Sequence, residues 1–198
     1  GVLVGFGCPA HSYNPAATLF VHSMDETLKS LFARGFHYQY DYLPLLALFL
    51  VWFPTSAYLN GVSCSTGIVI PCLFSGALLG RLFGLFLTDL LGVHTGDESK
   101  AWIDPGAFAL LGAAGFFAGV SRLTMSLTVI MTEISNDVHS TLPIMLSVLV
   151  AKWAADFTST DPLYHSLMDA KNYPYLQPDI PSFKVLDSFT AAHAASSD

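Results

Sequence analysis

Charge is scarce in this sequence. Only 12% of the 198 residues are Asp, Glu, Lys or Arg, whereas 53% are hydrophobic; soluble domains average about 25% charged. Mean hydropathy is +0.52. Too few polar side chains remain to cover a water-facing sphere, so lipid is the solvent this composition fits. Positive charge is scarcer still. Eight Lys and Arg stand against fifteen Asp and Glu, a net charge of −7 that offers nothing to a phosphate backbone, so no nucleic-acid partner is expected. Eight of the fifteen acidic residues lie before Tyr42 or after Asp156, outside the apolar stretches. The sequence has no charge run, no low-complexity tract and no tandem repeat.

Reactive patterns are missing as well. Cys8, Cys64 and Cys72 form no CxxC pair and no metal-ligand spacing, which leaves the redox compartment open. Cys64 and Cys72 lie in or beside apolar runs, where cysteine acts as a small hydrophobe. His11, His22, His37, His94, His139, His165 and His193 are scattered without HExxH or HxH spacing. There is no GxSxG elbow and no GxxxxGK[ST] loop. The expectation is a protein that is not an enzyme and carries no cofactor. The opening GVLVGFGCPAHSYNP has neither initiator methionine nor positive n-region, so it is no signal peptide, and the chain is expected to be cut from something longer.

What the sequence does have is a series of apolar stretches with polar breaks. Between Pro15 and Phe36, Leu19, Phe20, Met24, Leu28, Leu31 and Phe32 recur at about one helical turn. That spacing predicts an amphipathic helix, or two short ones, lying on the membrane or packed on a loop. From Leu43 to Val93 only Arg81 and Asp89 are charged. Helices are predicted from about Pro44 to Leu59 and from about Pro71 to Leu91, each close to the roughly 20 residues that cross a bilayer. Asn60-Gly61 and Ser63-Cys64-Ser65-Thr66-Gly67 separate them. Polar, glycine-bearing backbone persists at membrane depth only against protein or a wet cavity, so this hinge is a functional candidate.

Further on, Asp104 is placed to cap a helix with Pro105 at its first position. Ser121 to Thr124 interrupts that helix, MSLTVIMTEI makes a short one ended by Asn136-Asp137, and Leu142 to Phe157 makes another. After Asp161-Pro162 a short amphipathic helix runs from Leu163 to Lys171, and Pro174, Pro178 and Pro181 mark an extended linker. The expected fold class is an all-α membrane protein of tilted and broken helices. Its expected parts are a loop with an amphipathic helix over 1–42, a transmembrane region over 43–172, and a cytosolic linker over 173–198. Breaks inside apolar sequence are how transporters aim helix ends at ions.

The strongest site candidate is Gly67-Ile68-Val69-Ile70-Pro71 at the head of a long apolar helix. Amides in the first turn of a helix have no partner inside it. Proline there forfeits nothing, and glycine permits a tight entry. The helix dipole adds partial positive charge, so an anion is attracted without being trapped by a full charge.

Three stretches carry a family resemblance. STGIVIPCLFSGALLGRLFG resembles the GxFxP segment and following helix of the chloride channel/transporter (CLC) family. GAFALLGAAGFFAGVSRLTMSLTVIMTEI is similar to its next two helices, and DPLYHSLMDAKNYPYL to the last membrane helix and its exit. They occur in the family's order from about Cys8 to Phe183, covering the second half of the inverted-repeat membrane domain. The opening CPAHSYNPAATLF resembles the endosomal, lysosomal and plant vacuolar branch.

The resemblance implies a partial CLC-type bundle in a multi-pass protein of an intracellular organelle, moving chloride or another small anion. The protein would be a voltage-gated-type channel or a chloride/proton antiporter. It implies anion ligands in the amides of Ile68 and Val69 and the hydroxyl of Tyr164, with Gly67, Ile70 and Pro71 completing the loop. It implies a homodimer through Leu123 to Ile134 and Leu142 to Val150, an accessory subunit among the partners, and a linker after Tyr175 leading to paired CBS domains. Val69 departs from the family's usual phenylalanine, which puts pore width and hydration in question. The GxEGP gating glutamate and the inward proton glutamate are not in this sequence, so channel and exchanger are not separated. Outside the resemblance, Tyr164 reads as an interfacial aromatic. Glu133 is taken as structural near an aqueous edge, Arg122 as binding carbonyls at a helix end or raising the local potential, and Arg81 and Lys152 as snorkelling or paired. The alternatives are a non-transporting fragment or assembly subunit, and a soluble helical domain with a hydrophobic surface.

Overall fold

The computed structural model describes residues 19–33, 40–62, 67–91, 104–158 and 161–172. Cys8 and Cys64, hinge residues 63–66, the loop over 92–103 and the linker over 173–198 lie outside the described residues. The chain forms two compact units, Gly1–Pro162 and Leu163–Asp198. Among the described residues all regular structure is helical. In order these are α1 (Met24–Phe32), α2 (Tyr42–Gly61), α3 (Val69–Leu91), α4 (Pro105–Ser121), α5 (Met125–Ser135), a 3-10 turn (Val138–Ser140), α6 (Thr141–Thr158) and α7 (Leu163–Ala170).

Tyr42–Gly61, Val69–Leu91 and Val138–Thr158 are long and apolar enough to cross a membrane. They differ in what surrounds them. The most apolar window of α3 is 56% buried against the rest of the chain, whereas those of the other two are 11% buried each. Helix α3 is therefore the central element, and α2 and α6 turn most of their apolar side chains outward, as a lipid solvent or further protein allows. Pro54 lies within α2. Nearby, the Thr55 hydroxyl donates to the Val51 carbonyl at 2.7 Å, and the helix runs on without a break.

The core is a seam between α3 and α4. A Cβ added at Gly76 would stand 2.6 Å from the Gly112 carbonyl oxygen and 2.6 Å from Phe116 Cβ. One at Gly112 would meet the Gly76 carbonyl oxygen and Gly80 Cα, both at 2.6 Å. At Gly84 the neighbours are Pro105 Cα and Phe108 Cβ, at 2.9 Å each. Each turn up α3 meets the next turn down α4, so the two helices are antiparallel. Small residues let the backbones touch, which matters where lipid tails remove the hydrophobic drive between helices. Helix α4 then lies parallel to α6. The Ser147 hydroxyl donates to the Leu111 carbonyl at 3.0 Å, and a Cβ on Gly119 would lie 3.9 Å from Ala155 Cβ.

Capping follows the local sequence. Asp104 accepts from the Gly106 amide at 3.0 Å with Pro105 at the first position, as the spacing predicts. Arg122 (φ 62°) and Asn136 (φ 48°) end α4 and α5 in left-handed conformations. Asp137 caps the 3-10 turn through the His139 amide at 3.0 Å, a turn that was not expected from the sequence. Helix α1 is packed on the bundle, burying Thr27, Leu28 and Leu31, while Phe20, counted in the same apolar stripe, is 54% exposed. Of the two expectations for Arg81, snorkelling or pairing, the structure shows partners and no snorkelling. Arg81 is fully buried, donates to the Ser30 and Leu31 carbonyls, and holds its guanidinium carbon 5.2 Å from the Tyr40 ring centroid. At the other end of α3, Tyr42 donates to Asp89, joining it to the start of α2.

Candidate functional site

The head of α3 is formed by Gly67-Ile68-Val69-Ile70-Pro71. The helix begins at Val69, two residues before the predicted Pro71. Ile68 acts as the cap, its carbonyl accepting from the Cys72 amide at 3.2 Å. Pro71 is consequently the third helical residue. It is tolerated there because none of the first three amides has an intrahelical acceptor. Among the described residues, the amides of Ile68, Val69 and Ile70 meet no acceptor. The helix head is open: Val69 is 42% and Ile70 43% exposed, and a Cβ on Gly67 would find no atom within 4 Å. Ser75 does not contribute, since its hydroxyl turns back to the Pro71 carbonyl at 2.8 Å.

Tyr164 is the second residue of α7, in the other compact unit. Glu133 is exposed near the end of α5. Lys152 is half-buried on α6. Two cavities among the described residues lie elsewhere. An open groove of about 380 Å³ runs beside the glycine seam between Leu79, Phe83, Phe108, Leu111 and Phe116, and a smaller pocket of about 170 Å³ adjoins Lys29, Phe32 and Gly106.

The helix register reveals an arrangement that sequence reasoning missed. Carrying the α3–α4 contacts back from Gly76 by two turns sets Val69, the first residue of α3, level with Ser121, the last of α4. The parallel α4–α6 contacts bring the last turn of α6 to the same level, where Arg122 touches Ala155 and Asp156. Two helix starts, those of α3 and α5, and two helix ends, those of α4 and α6, thus share a depth in the bundle. Arg122 binds at both carbonyl ends. Its own amide returns to the Ala118 carbonyl at 2.8 Å, its Nη2 donates to the Ala155 carbonyl at 2.8 Å, and its Nη1 pairs with Asp156. The break at Ser121 to Thr124 was visible in the sequence. Asp156, 34 residues away, was not, because only the packed register brings it there.

The family model described as voltage gated chloride channel matches residues 1–156. Chloride channel protein D of Dictyostelium discoideum is 38% identical over 179 residues, covering 88% of this chain and 17% of that protein. Chloride channel protein A of the same organism is 35% identical, covering 90% of the chain and 19% of the relative. The H(+)/Cl(-) exchange transporter 7 of Homo sapiens is 37% identical over 176 residues, 88% of the chain and 21% of the relative. The chain therefore spans about a fifth of the length of these relatives. With three membrane-length helices in place and a family match over more than three quarters of its residues, the chain belongs to the voltage-gated chloride channel (CLC) family.

Proposed function

We propose that this chain supplies part of an anion pathway, in a chloride channel or a chloride/proton exchanger. The observation that supports this best is the open head of α3. There three consecutive amides, at Ile68, Val69 and Ile70, are without acceptors among the described residues and sit at the positive end of a 23-residue helix. Amides and a dipole hold an anion by partial charge, which permits both entry and release. Gly67 and Pro71 shape the entry, and the Tyr164 phenol is the second ligand in this reading, a neutral donor at physiological pH. As a member of a channel and transporter family the chain is not an enzyme, and chloride is its transported ligand rather than a cofactor.

The same reading takes the protein as a homodimer. Met125, Val129 and Ile130 on α5 and Leu142, Leu146 and Val150 on α6 are exposed apolar residues on neighbouring elements, which suits a second copy. An intracellular organelle membrane is the proposed location, with an accessory subunit and a linker over 173–198 towards a cytosolic domain.

The experiment is chloride flux with simultaneous pH recording from the intact gene product in liposomes. Val69→Pro removes one amide at the helical position that tolerates proline best. Tyr164→Phe removes one hydroxyl. Each is expected to raise the half-saturating chloride concentration several-fold, about 1 kcal/mol per neutral hydrogen bond. Unchanged flux in both variants rejects the site. Coupled proton movement assigns an exchanger, and its absence a channel.

A further inference from the structure

We propose that Asn60, in the last turn of α2, is a further ligand of the anion site at the head of α3, its side-chain amide donating to the ion from the neighbouring helix. The inference deepens the anion-site reading above and rests on it.

Helices α2 and α3 run antiparallel. Tyr42, the first residue of α2, bonds to Asp89 near the end of α3, and the Trp52 ring meets that of Phe74 edge-on with centroids 5.3 Å apart. Each contact fixes a level. Five residues back from Phe74 stands Val69, and five forward from Trp52 stands Ala57. Counted from Asp89 and Tyr42, twenty residues each way, Val69 falls level with Val62. The last turn of α2, which holds Asn60, therefore lies beside the first turn of α3.

The packed face of α2 changes character on reaching that level. Leu45 and Leu48 are buried, and Phe49 and Trp52 pack against the same core. Ser56 and Asn60 continue the stripe at helical spacing, half-buried positions among exposed Ala57, Tyr58, Leu59 and Gly61. The Ser56 hydroxyl is spent on the Phe53 carbonyl, at 2.9 Å. Among the described residues, nothing bonds to the Asn60 side chain. The surroundings leave room for an ion, since a Cβ added at Gly61 or Gly67 would find no atom within 4 Å.

A primary amide brings two N–H donors and no charge. It adds a hydrogen bond to those from the Ile68, Val69 and Ile70 amides without the full charge that would trap the ion. Packed helices lie about 8–10 Å apart, so an ion between the two could be reached from both.

The test is the half-saturating chloride concentration for flux through the intact gene product in liposomes, read beside its melting temperature in detergent. Asn60→Ala removes the donors at an accessible helical position and is expected to raise the concentration about three- to fivefold. Asn60→Asp keeps the shape and turns acceptor oxygens on the ion, and is expected to raise it at least tenfold. Asn60→Gln keeps both donors and is expected to raise it less than Asn60→Ala does. Melting temperatures should stay close to wild type. A side chain that merely finishes α2 predicts a lower melting temperature with half-saturation unchanged. A charge felt only from a distance predicts a response to Asn60→Asp and none to Asn60→Ala. Either result overturns the proposal. If Asn60→Ala fails to assemble, Asn60→Ser, too short to reach the ion, takes its place. Val69→Pro and Tyr164→Phe run alongside. When they respond and the Asn60 series does not, this inference fails while the anion site stands; when neither responds, the site itself is rejected.

Discussion

The Arg81 guanidinium, from the middle of α3, donates to the carbonyl oxygen of Leu31, in the last turn of α1. It also reaches the Ser30 carbonyl at 3.2 Å. A helix end leaves carbonyls without intrahelical partners, and a buried end must find donors elsewhere. Arg81→Met keeps the stem and removes the donors. It is expected to destabilise the protein by about 2–4 kcal/mol, the cost of unpaired buried polar groups. Thermal unfolding in detergent measures this. Limited proteolysis should then cut near α1 before it cuts within α3 or α4.

Asp104 makes the corresponding bond at the start of α4. Asp104→Ala removes the acceptor for the Gly106 amide and is expected to cost about 1 kcal/mol. Asp104→Asn should recover most of it, because an amide oxygen caps nearly as well. A loss of equal size in both variants would mean that the charge, not the cap, is what matters.

The glycine seam predicts a larger effect. Gly112→Ala places a methyl group 2.6 Å from both the Gly76 carbonyl oxygen and Gly80 Cα. Neither is the end of a flexible side chain, so the helices must separate. Overpacking of this kind costs about 1–3 kcal/mol, and Gly112→Leu is expected to abolish assembly. By contrast Gly119→Ala, with its nearest neighbours at 3.9 Å, should be close to neutral. Melting temperatures of the three variants, compared in one detergent, check the order.

The proposed dimer has its own test. Leu146 is 56% exposed on α6. Leu146→Trp remains compatible with lipid while obstructing a close partner, so it is expected to shift the protein towards monomers without lowering its melting temperature. Single-molecule photobleaching in liposomes counts the copies directly. An unchanged dimer fraction would exclude this face.

Much of the architecture was legible because its causes are local. Asp104-Pro105 announces a helix start in two adjacent residues, and Asn136-Asp137 an end. The apolar lengths of α2 and α3 follow from the bilayer they must match. What escaped reading depends on register. Arg81 and Leu31 are 50 residues apart, and nothing in either segment names the other. Arg122 was visible as a break, but its hold on Ala155 and Asp156 emerges only when α4 and α6 lie side by side. At the candidate site, the residues of the α3 head were named from their type and order. The first residue was misplaced by two, because proline favours the first position of a helix but is accepted at any of the first three, whose amides have no intrahelical acceptor.

Contact along the α3–α4 seam is largely backbone on backbone, with Phe108 and Phe116 closing against Gly84 and Gly76. Two rods joined in this way cannot slide past one another without first parting, so they are expected to behave as a single rigid strut. Any rearrangement would then fall to the sparsely covered α2 and α6. Spin labels at Leu90 and Phe108 should report one narrow distance in the presence and absence of chloride, and a second distance population would show that the strut yields.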